Sequence, residues 1–350
     1  MDYKVLYIED LEGETRMLTL KRENFILTQI KPSDNVDIII NDIKETNPDL
    51  VILDYILTEG SELKYCNAPT IASTLRSLVA TKDFKETPII LMSNKDNIVE
   101  MYRKDYTSHD LFDYAITKEN ATKNCTDKFI DKSISIIEAY KNIESNDYNL
   151  SKILNIEDEL IHSKINFYLN SSNKSTYEYS RFIFEHLLRC SGLLIGEDIL
   201  SARLGVSKDS YDWEKLKTLL IDYKYSGIFS NVYNRWWMVK IENWWSEVIE
   251  EKLSLRSYTA NERVEIIKSK LNLDLSVVLS SEKNMSTYYW TICKETRLPL
   301  DPYDGLELLE EEFKPWQDKD YISIDGYLNN IEKYSKLVSE LDRKEMREYC

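Results

Sequence analysis

Four short apolar runs early in the chain each end on a side chain suited to handling phosphoryl groups. Lys4–Ile8 leads into Glu9 and Asp10, Leu50–Leu53 into Asp54, Ile89–Met92 into Ser93, and Leu111–Thr117 into Lys118. Carboxylates brought together repel one another unless a cation lies among them. Magnesium suits such a place, because it takes hard oxygen ligands and keeps several waters. Asp10 and Asp54 are candidate direct ligands, Glu9 a holder of a coordinated water, and the backbone carbonyl of Ile56 a further oxygen. With charge offset in this way, Asp54 attacks phosphorus in line and becomes an acyl phosphate. Lys118 supplies a point positive charge to the phosphoryl oxygens, and the Ser93 hydroxyl donates to another.

These residues meet only if the runs are strands of one sheet. Phe25–Ile30 reads as a further strand. Between the strands lie helix-like stretches: Leu11 to about Phe25, Val36 to Ile43, Ile71 to Val79, Ile98 to Tyr106, and Ala121 to about Ile143. Val36, Ile39, Ile40 and Ile43 follow the spacing of a helix with one buried face. Five strands alternating with five helices predict a doubly wound α/β domain around a parallel sheet. Strands that are apolar throughout fit a sheet covered on both faces. In such a sheet, ligands bind outside the carboxyl ends of the strands, where the reactive residues fall.

Tyr-Ile-Glu-Asp (7–10), Leu-Val-Ile-Leu-Asp (50–54), Pro-Ile-Ile-Leu-Met-Ser (88–93) and Tyr-Ala-Ile-Thr-Lys (114–118) together resemble the four signature stretches of two-component receiver domains, in the same order and strand placement. The resemblance implies a flavodoxin-like fold, magnesium, and phosphorylation of Asp54 by a histidine kinase or a phosphotransfer protein. The sequence also departs from the family's pattern. Asn94 follows Ser93 where a small residue is usual, which bears on access of water to the acyl phosphate and so on its lifetime. Glu119 follows Lys118 where many receivers have proline. Ala115 stands where the switch aromatic is usual, with Tyr114 one place earlier. A degenerate receiver that acts only as a binding scaffold is an alternative.

The chain has 350 residues, room for two or three domains of ~100–200 residues. The division expected is a receiver over 1–144, a linker over 145–152, and a mainly helical output or interaction domain over 153–350. The net charge of −16 speaks against whole-chain affinity for nucleic acid or anionic lipid. Cys66, Cys125, Cys190, Cys293 and Cys350 form no C-x-x-C pair, so neither a disulfide framework nor a zinc site is expected, and a reducing, cytoplasmic setting fits. No secretory signal and no membrane-spanning run is expected.

In the second half, residues 198–220 read as a helix-turn-helix, with Leu200 and Leu204 inward, Gly205 at the turn, Val206 as a plug and Ser207 capping the next helix. Asp209, Asp212 and Glu214 beside Lys208, Lys215 and Lys217 make a poor surface for phosphates. Trp237, Ile241, Trp244 and Val248 form one helical stripe, read as core before interface. Thr259 and Glu262 form a capping box, and a last helix is expected from Ile324 to Arg347. No nucleophile–base pair, phosphate loop or metal cluster is evident after residue 150.

The function expected is therefore a response regulator whose phosphorylation switches the contacts of a helical protein-interaction domain. Alternatives are a transcriptional regulator using 198–220, a phosphate sink in a specialised phosphorelay such as a phage-defence one, and the scaffold named above. It is not expected to be an enzyme beyond its own phosphorylation and dephosphorylation.

Overall fold

The computed structural model describes residues 2–9, 13–33, 35–57, 67–170, 175–309 and 313–347. It divides into two compact units. The first comprises Met1–Leu154, Ile165–Phe182 and Gly227–Val232, and the second comprises Asn155–Lys164, Ile183–Ser226 and Tyr233–Cys350. The chain thus crosses between units several times, and the polar stretch at 145–152 marks none of those crossings alone.

The first unit is built on five parallel strands: β1 (Tyr3–Ile8), β2 (Phe25–Ile30), β3 (Leu50–Leu53), β4 (Ile89–Ser93) and β5 (Tyr114–Thr117). Their order is β2-β1-β3-β4-β5, the flavodoxin-like doubly wound arrangement. Every residue of β3 and β4 is buried, as a sheet covered on both faces requires. Register runs Val5 against Leu50, Val51 against Ile89 and Ile90 against Tyr114.

Among the described residues up to 145, four α-helices flank this sheet: α1 (Gly13–Leu20), α2 (Val36–Thr46), α3 (Ala68–Ala80) and α4 (Thr126–Ser145). Asn35 caps α2 by accepting the Asp37 N–H, and Asn47 ends it in the left-handed region. Ile39, Ile40 and Ile43 turn the helix's apolar face onto the sheet. Each such side chain contributes roughly 1.5–3 kcal/mol on burial. Asn67 caps α3, with Pro69 in its first turn. The segment between β4 and β5 is not one regular α-helix. It is a π-type turn over Asn97–Met101 followed by 3₁₀ turns over Tyr102–Lys104 and Tyr106–Leu111.

After α5 (Leu150–Leu154) and α6 (Ser163–Asn170), α7 (Thr176–Ile183) is pinned into the first unit. Glu86, just before β4, accepts from Ser175 Oγ at 2.6 Å, Thr176 N at 2.7 Å and Tyr177 N at 3.0 Å, and so caps the helix. Arg76 of α3 stacks on the Tyr177 ring, 3.9 Å from its centroid. It also pairs at 3.0 Å with Asp113. Asp113 in turn accepts from the Tyr140 hydroxyl at 2.6 Å and from Ile89 N at 2.8 Å.

The second unit is mostly helical, with three small antiparallel ribbons. Its helices are α8 (Glu197–Leu204), α9 (Trp213–Leu219), α10 (Met238–Glu247), α11 (Ala260–Leu271), α12 (Ile324–Asn329), α13 (Ile331–Tyr334) and α14 (Glu340–Met346). Gly205 ends α8 at φ +74, and a Cβ there would strike the Ala260 backbone at 2.6 Å, so both conformation and space require glycine. Leu200, Leu204 and Val206 are buried. Ser207 does not cap the next helix: α9 begins six residues later, at Trp213.

Trp236, Trp237, Ile241, Trp244 and Trp245 all lie in the core, while Val248 is 41% exposed. The tryptophans divide between two elements, because Trp236 and Trp237 pair as a strand with Ile195 and Leu194 before α10 starts. The Thr259–Glu262 capping box is present at the start of α11. The expected last helix is three short ones, α12 to α14, broken by turns at Asn330 and after Tyr334. Among the described residues, no helix is long and apolar enough to cross a membrane.

Candidate functional site

The strand order places a topological switch point between β1 and β3, where the chain reverses its direction of winding. Glu9 follows β1, Asp54 follows β3, Ser93 ends β4 and Lys118 follows β5. All four sit at the carboxyl edge, and their side chains meet there. Lys118 Nζ is 2.5 Å from Asp54 Oδ2 and 2.8 Å from Glu9 Oε2. Ser93 Oγ donates to Asp54 Oδ1, which also accepts from Tyr55 N at 2.7 Å. Glu9 is fully buried, and Asp54 is 5% exposed.

Asp10 lies outside the described residues. Ile56 is half-buried two residues beyond Asp54 and bridges to Asn67, which caps α3.

Three further side chains belong to the site. Tyr7, buried on the same face of β1, donates its hydroxyl to Glu9 Oε2 at 2.6 Å. Arg16 of α1 lies 3.2 Å from the same oxygen. Asn97 Nδ2 donates to Ser93 Oγ at 3.1 Å. Period-two alternation from Glu9 points to Tyr7, whereas Arg16 and Asn97 carry no spacing signal. Gly13 lies close to Gln29: a Cβ there would meet its side-chain amide at 2.1 Å and displace it, and Gln29 Nε2 donates to the Glu9 carbonyl at 3.3 Å.

Burial pushes the Glu9 carboxyl up, and the charge of Asp54 pushes it further, against the hydrogen bonds from Lys118 and Tyr7. Burial beside Glu9 also raises the Tyr7 hydroxyl far above its ordinary range, so it stays a donor.

The departures at the edge have physical partners too. Asn94 Oδ1 accepts from Asn97 N at 2.8 Å, so its side chain holds the turn after β4. Tyr114 carries the Lys132 ammonium over its ring at 3.3 Å. Ala115 is half-buried against the apolar core, and Glu119 is exposed.

The N-terminal part resembles response-regulator receiver domains. One similar structure is a response regulator receiver domain from Methylobacillus flagellatus. It is 17% identical, covering 37% of this chain and 99% of that one, with a TM-score of 0.28. Another is the signal receiver domain of a modulated diguanylate cyclase from Desulfovibrio desulfuricans G20, at 18% identity, 39% and 98% coverage, and TM-score 0.29. A third is a two-component response regulator from Aurantimonas sp. SI85-9A1, at 12% identity, 39% and 86% coverage, and TM-score 0.29. No family model and no curated protein matches the chain. Identities this low leave function to be decided by the side chains.

Proposed function

We propose that this protein is a response regulator that accepts a phosphoryl group on Asp54 from a histidine kinase or phosphotransfer protein. The observation that carries this reading is the asymmetry of the Asp54 carboxylate. Oδ1 is fixed by Tyr55 N and Ser93, while the contact described for Oδ2 is the ammonium of Lys118. Oδ2 is the nucleophile. It bonds to phosphorus as the bond to the donor nitrogen breaks, and the pair of electrons leaves on the donor imidazole. Lys118 then follows the charge onto the phosphoryl oxygens, and Ser93 donates to one of them.

The donor types suit magnesium, which would be held by Glu9 through a water, by Asp10 and Asp54, and by the Ile56 carbonyl. Among the described residues, no three His, Cys, Asp or Glu side chains come together as a metal cluster, and Asp10 lies outside those residues. Bound there, magnesium would offset the charge of the phosphoryl oxygens during transfer.

Phosphorylation shifts a two-state equilibrium of the first unit and changes what the second unit contacts. Protein contact is favoured over DNA for that second unit by its paired lysines. Lys208 is held by Asp198 at 2.6 Å, and Lys217 by Glu197 at 2.8 Å and Glu214 at 2.7 Å, which leaves their charge unavailable to phosphates. The protein is a switch rather than a metabolic enzyme, and it works in the cytoplasm.

Intact-mass spectrometry with magnesium and a small phosphodonor tests this. Wild type gains one phosphoryl group, and the gain disappears in Asp54→Ala and with chelator. A wild type that stays unlabelled by both small donors and a permissive histidine kinase points to the degenerate scaffold. Labelling with no change in oligomeric state or partner binding points to a phosphate sink. Retention on DNA at low salt would favour the transcriptional reading.

A further inference from the structure

Ser93 is fully buried, and its hydroxyl has one proton to donate and two lone pairs with which to accept. The proton goes to Asp54 Oδ1, because a carboxylate paired with the Lys118 ammonium at 2.5 Å is an acceptor only. Lone pairs alone are then left for Asn97. Its side chain therefore presents the amide N–H rather than the carbonyl, and Asn97 Nδ2 donates to Ser93 Oγ at 3.1 Å.

Asn97 is itself aimed by the chain. Asn94 Oδ1 accepts the Asn97 N–H at 2.8 Å, three residues on, in the manner of an N-cap. In a capping box the third residue after the cap turns its side chain back to the N–H of the cap itself. Here that side chain reaches one residue further back, to the Ser93 hydroxyl. The cap sets the Asn97 backbone, Asn97 sets the hydroxyl, and the hydroxyl meets the carboxylate of Asp54.

We infer that Asn97 is a positioning residue for phosphoryl transfer, holding the Ser93 hydroxyl with its proton turned toward the place where the phosphoryl oxygens arrive. This rests on the reading of Asp54 as the acceptor. A phosphoryl group is rich in acceptor oxygens. A hydroxyl already turned toward it donates without a search over staggered positions. The hydrogen bond that Ser93 accepts from Asn97 also strengthens the one it donates. Among the described residues, Asn97 is the donor that reaches Ser93 Oγ, so its loss frees the hydroxyl to turn.

The test is a double-mutant cycle on the full chain, read as the initial rate at which intact mass gains a phosphoryl group with MgCl2 and acetyl phosphate. Asn97→Ala is expected to lower the maximal rate roughly three- to tenfold, as the loss of one hydrogen bond does. The acetyl phosphate concentration for half-maximal rate is expected to stay within about twofold of wild type. Ser93→Ala is expected to lower the maximal rate at least as far. Adding Asn97→Ala to Ser93→Ala is expected to change it by less than about twofold, since no hydroxyl remains to be aimed. Thermal melts show whether each variant folds, and Asn97→Leu, of similar size and without a donor, carries the comparison if Asn97→Ala does not. An unchanged rate in either single variant, a loss confined to the half-saturating concentration, or equal losses from Asn97→Ala with and without Ser93 overturns the proposal. A wild type that gains no phosphoryl group from acetyl phosphate or from a permissive histidine kinase removes the acceptor reading itself, and the role of Asn97 with it.

Discussion

Two clusters of charge are buried at opposite ends of the same parallel sheet, and they are built differently. At the amino-terminal rim, Asp113 accepts from Tyr140 on one oxygen and from Arg76 and the Ile89 N–H on the other. Arg76 also reaches the Thr87 and Leu111 carbonyls and stacks on Tyr177. Every partner there is a backbone group or a side chain fixed by packing. At the carboxyl edge, Glu9 and Asp54 share one lysine. At the rim, Asp113 and Arg76 each have several partners, although the buried Arg76 Nε has none among the described residues. The edge gathers two carboxylates around one ammonium, with the Tyr55 N–H, the Ser93 hydroxyl, the Tyr7 hydroxyl and the Arg16 guanidinium as further partners.

The largest effect expected from this difference is on stability. Asp113→Ala strands Arg76 without its carboxylate and is expected to cost about 3–5 kcal/mol in denaturant unfolding of the first unit. Asp54→Ala removes a charge that repels Glu9, and its cost is expected to stay within about 1 kcal/mol. Equal costs would erase the distinction between the two ends.

An intermediate effect concerns α7. Tyr177 is buried, stacks on Arg76 and donates to the Asp110 carbonyl at 2.7 Å. Tyr177→Ala is expected to cost about 3 kcal/mol, and Glu86→Ala, which uncaps the helix, about 1 kcal/mol. If neither variant shifts the unfolding midpoint of the first unit, α7 is not part of that unit.

The smallest effect is a pH dependence at the rim. Asp49 precedes β3 and accepts from Lys4 N at 2.9 Å, with Lys141 at 2.9 Å. Burial pushes its carboxyl up, but Lys141 and the Lys4 N–H outweigh that and leave it below its ordinary value of 3.8. A depressed carboxyl favours the folded state above that ordinary value, and the contribution fades as pH falls through the lower, folded one. Asp49→Asn is therefore expected to flatten the acid limb of a stability profile below about pH 4 and leave its slope at neutral pH unchanged. An acid limb identical to that of wild type would remove Asp49 from the rim's electrostatics.

The two ends also differ in how far the sequence reveals them. Glu9, Asp54, Ser93 and Lys118 each close an apolar run, so strand ends and site are read in one step. β2 and β3 have the bounds the pattern predicts, because turn residues flank both. The rim leaves no such mark. Arg76, Asp113, Tyr140 and Tyr177 come from four distant segments, and each alone looks like an ordinary helix-face or turn residue. Their meeting depends on tertiary packing, which also draws 165–182 into the first unit. Arg16 carries no mark in the sequence for the same reason. The helix expected between β4 and β5 gives way to tight turns where Asn94 and Asp105 bond to nearby N–H groups, a competition that apolar periodicity does not register. In the second half, the stripe read as one helix straddles a strand and a helix, since a period of 3.6 does not show where a helix starts.

The most direct test of the difference between the ends locates the acyl phosphate. After phosphorylation with magnesium present, borohydride reduction converts a phosphorylated aspartate to homoserine, and tandem mass spectrometry of peptides reads its position. Homoserine at position 54, with Asp113 and Asp49 unchanged, is the expected result. Homoserine at another aspartate, or none at 54 in a chain whose mass shows a phosphoryl group, would contradict the assignment of the carboxyl edge as the acceptor site.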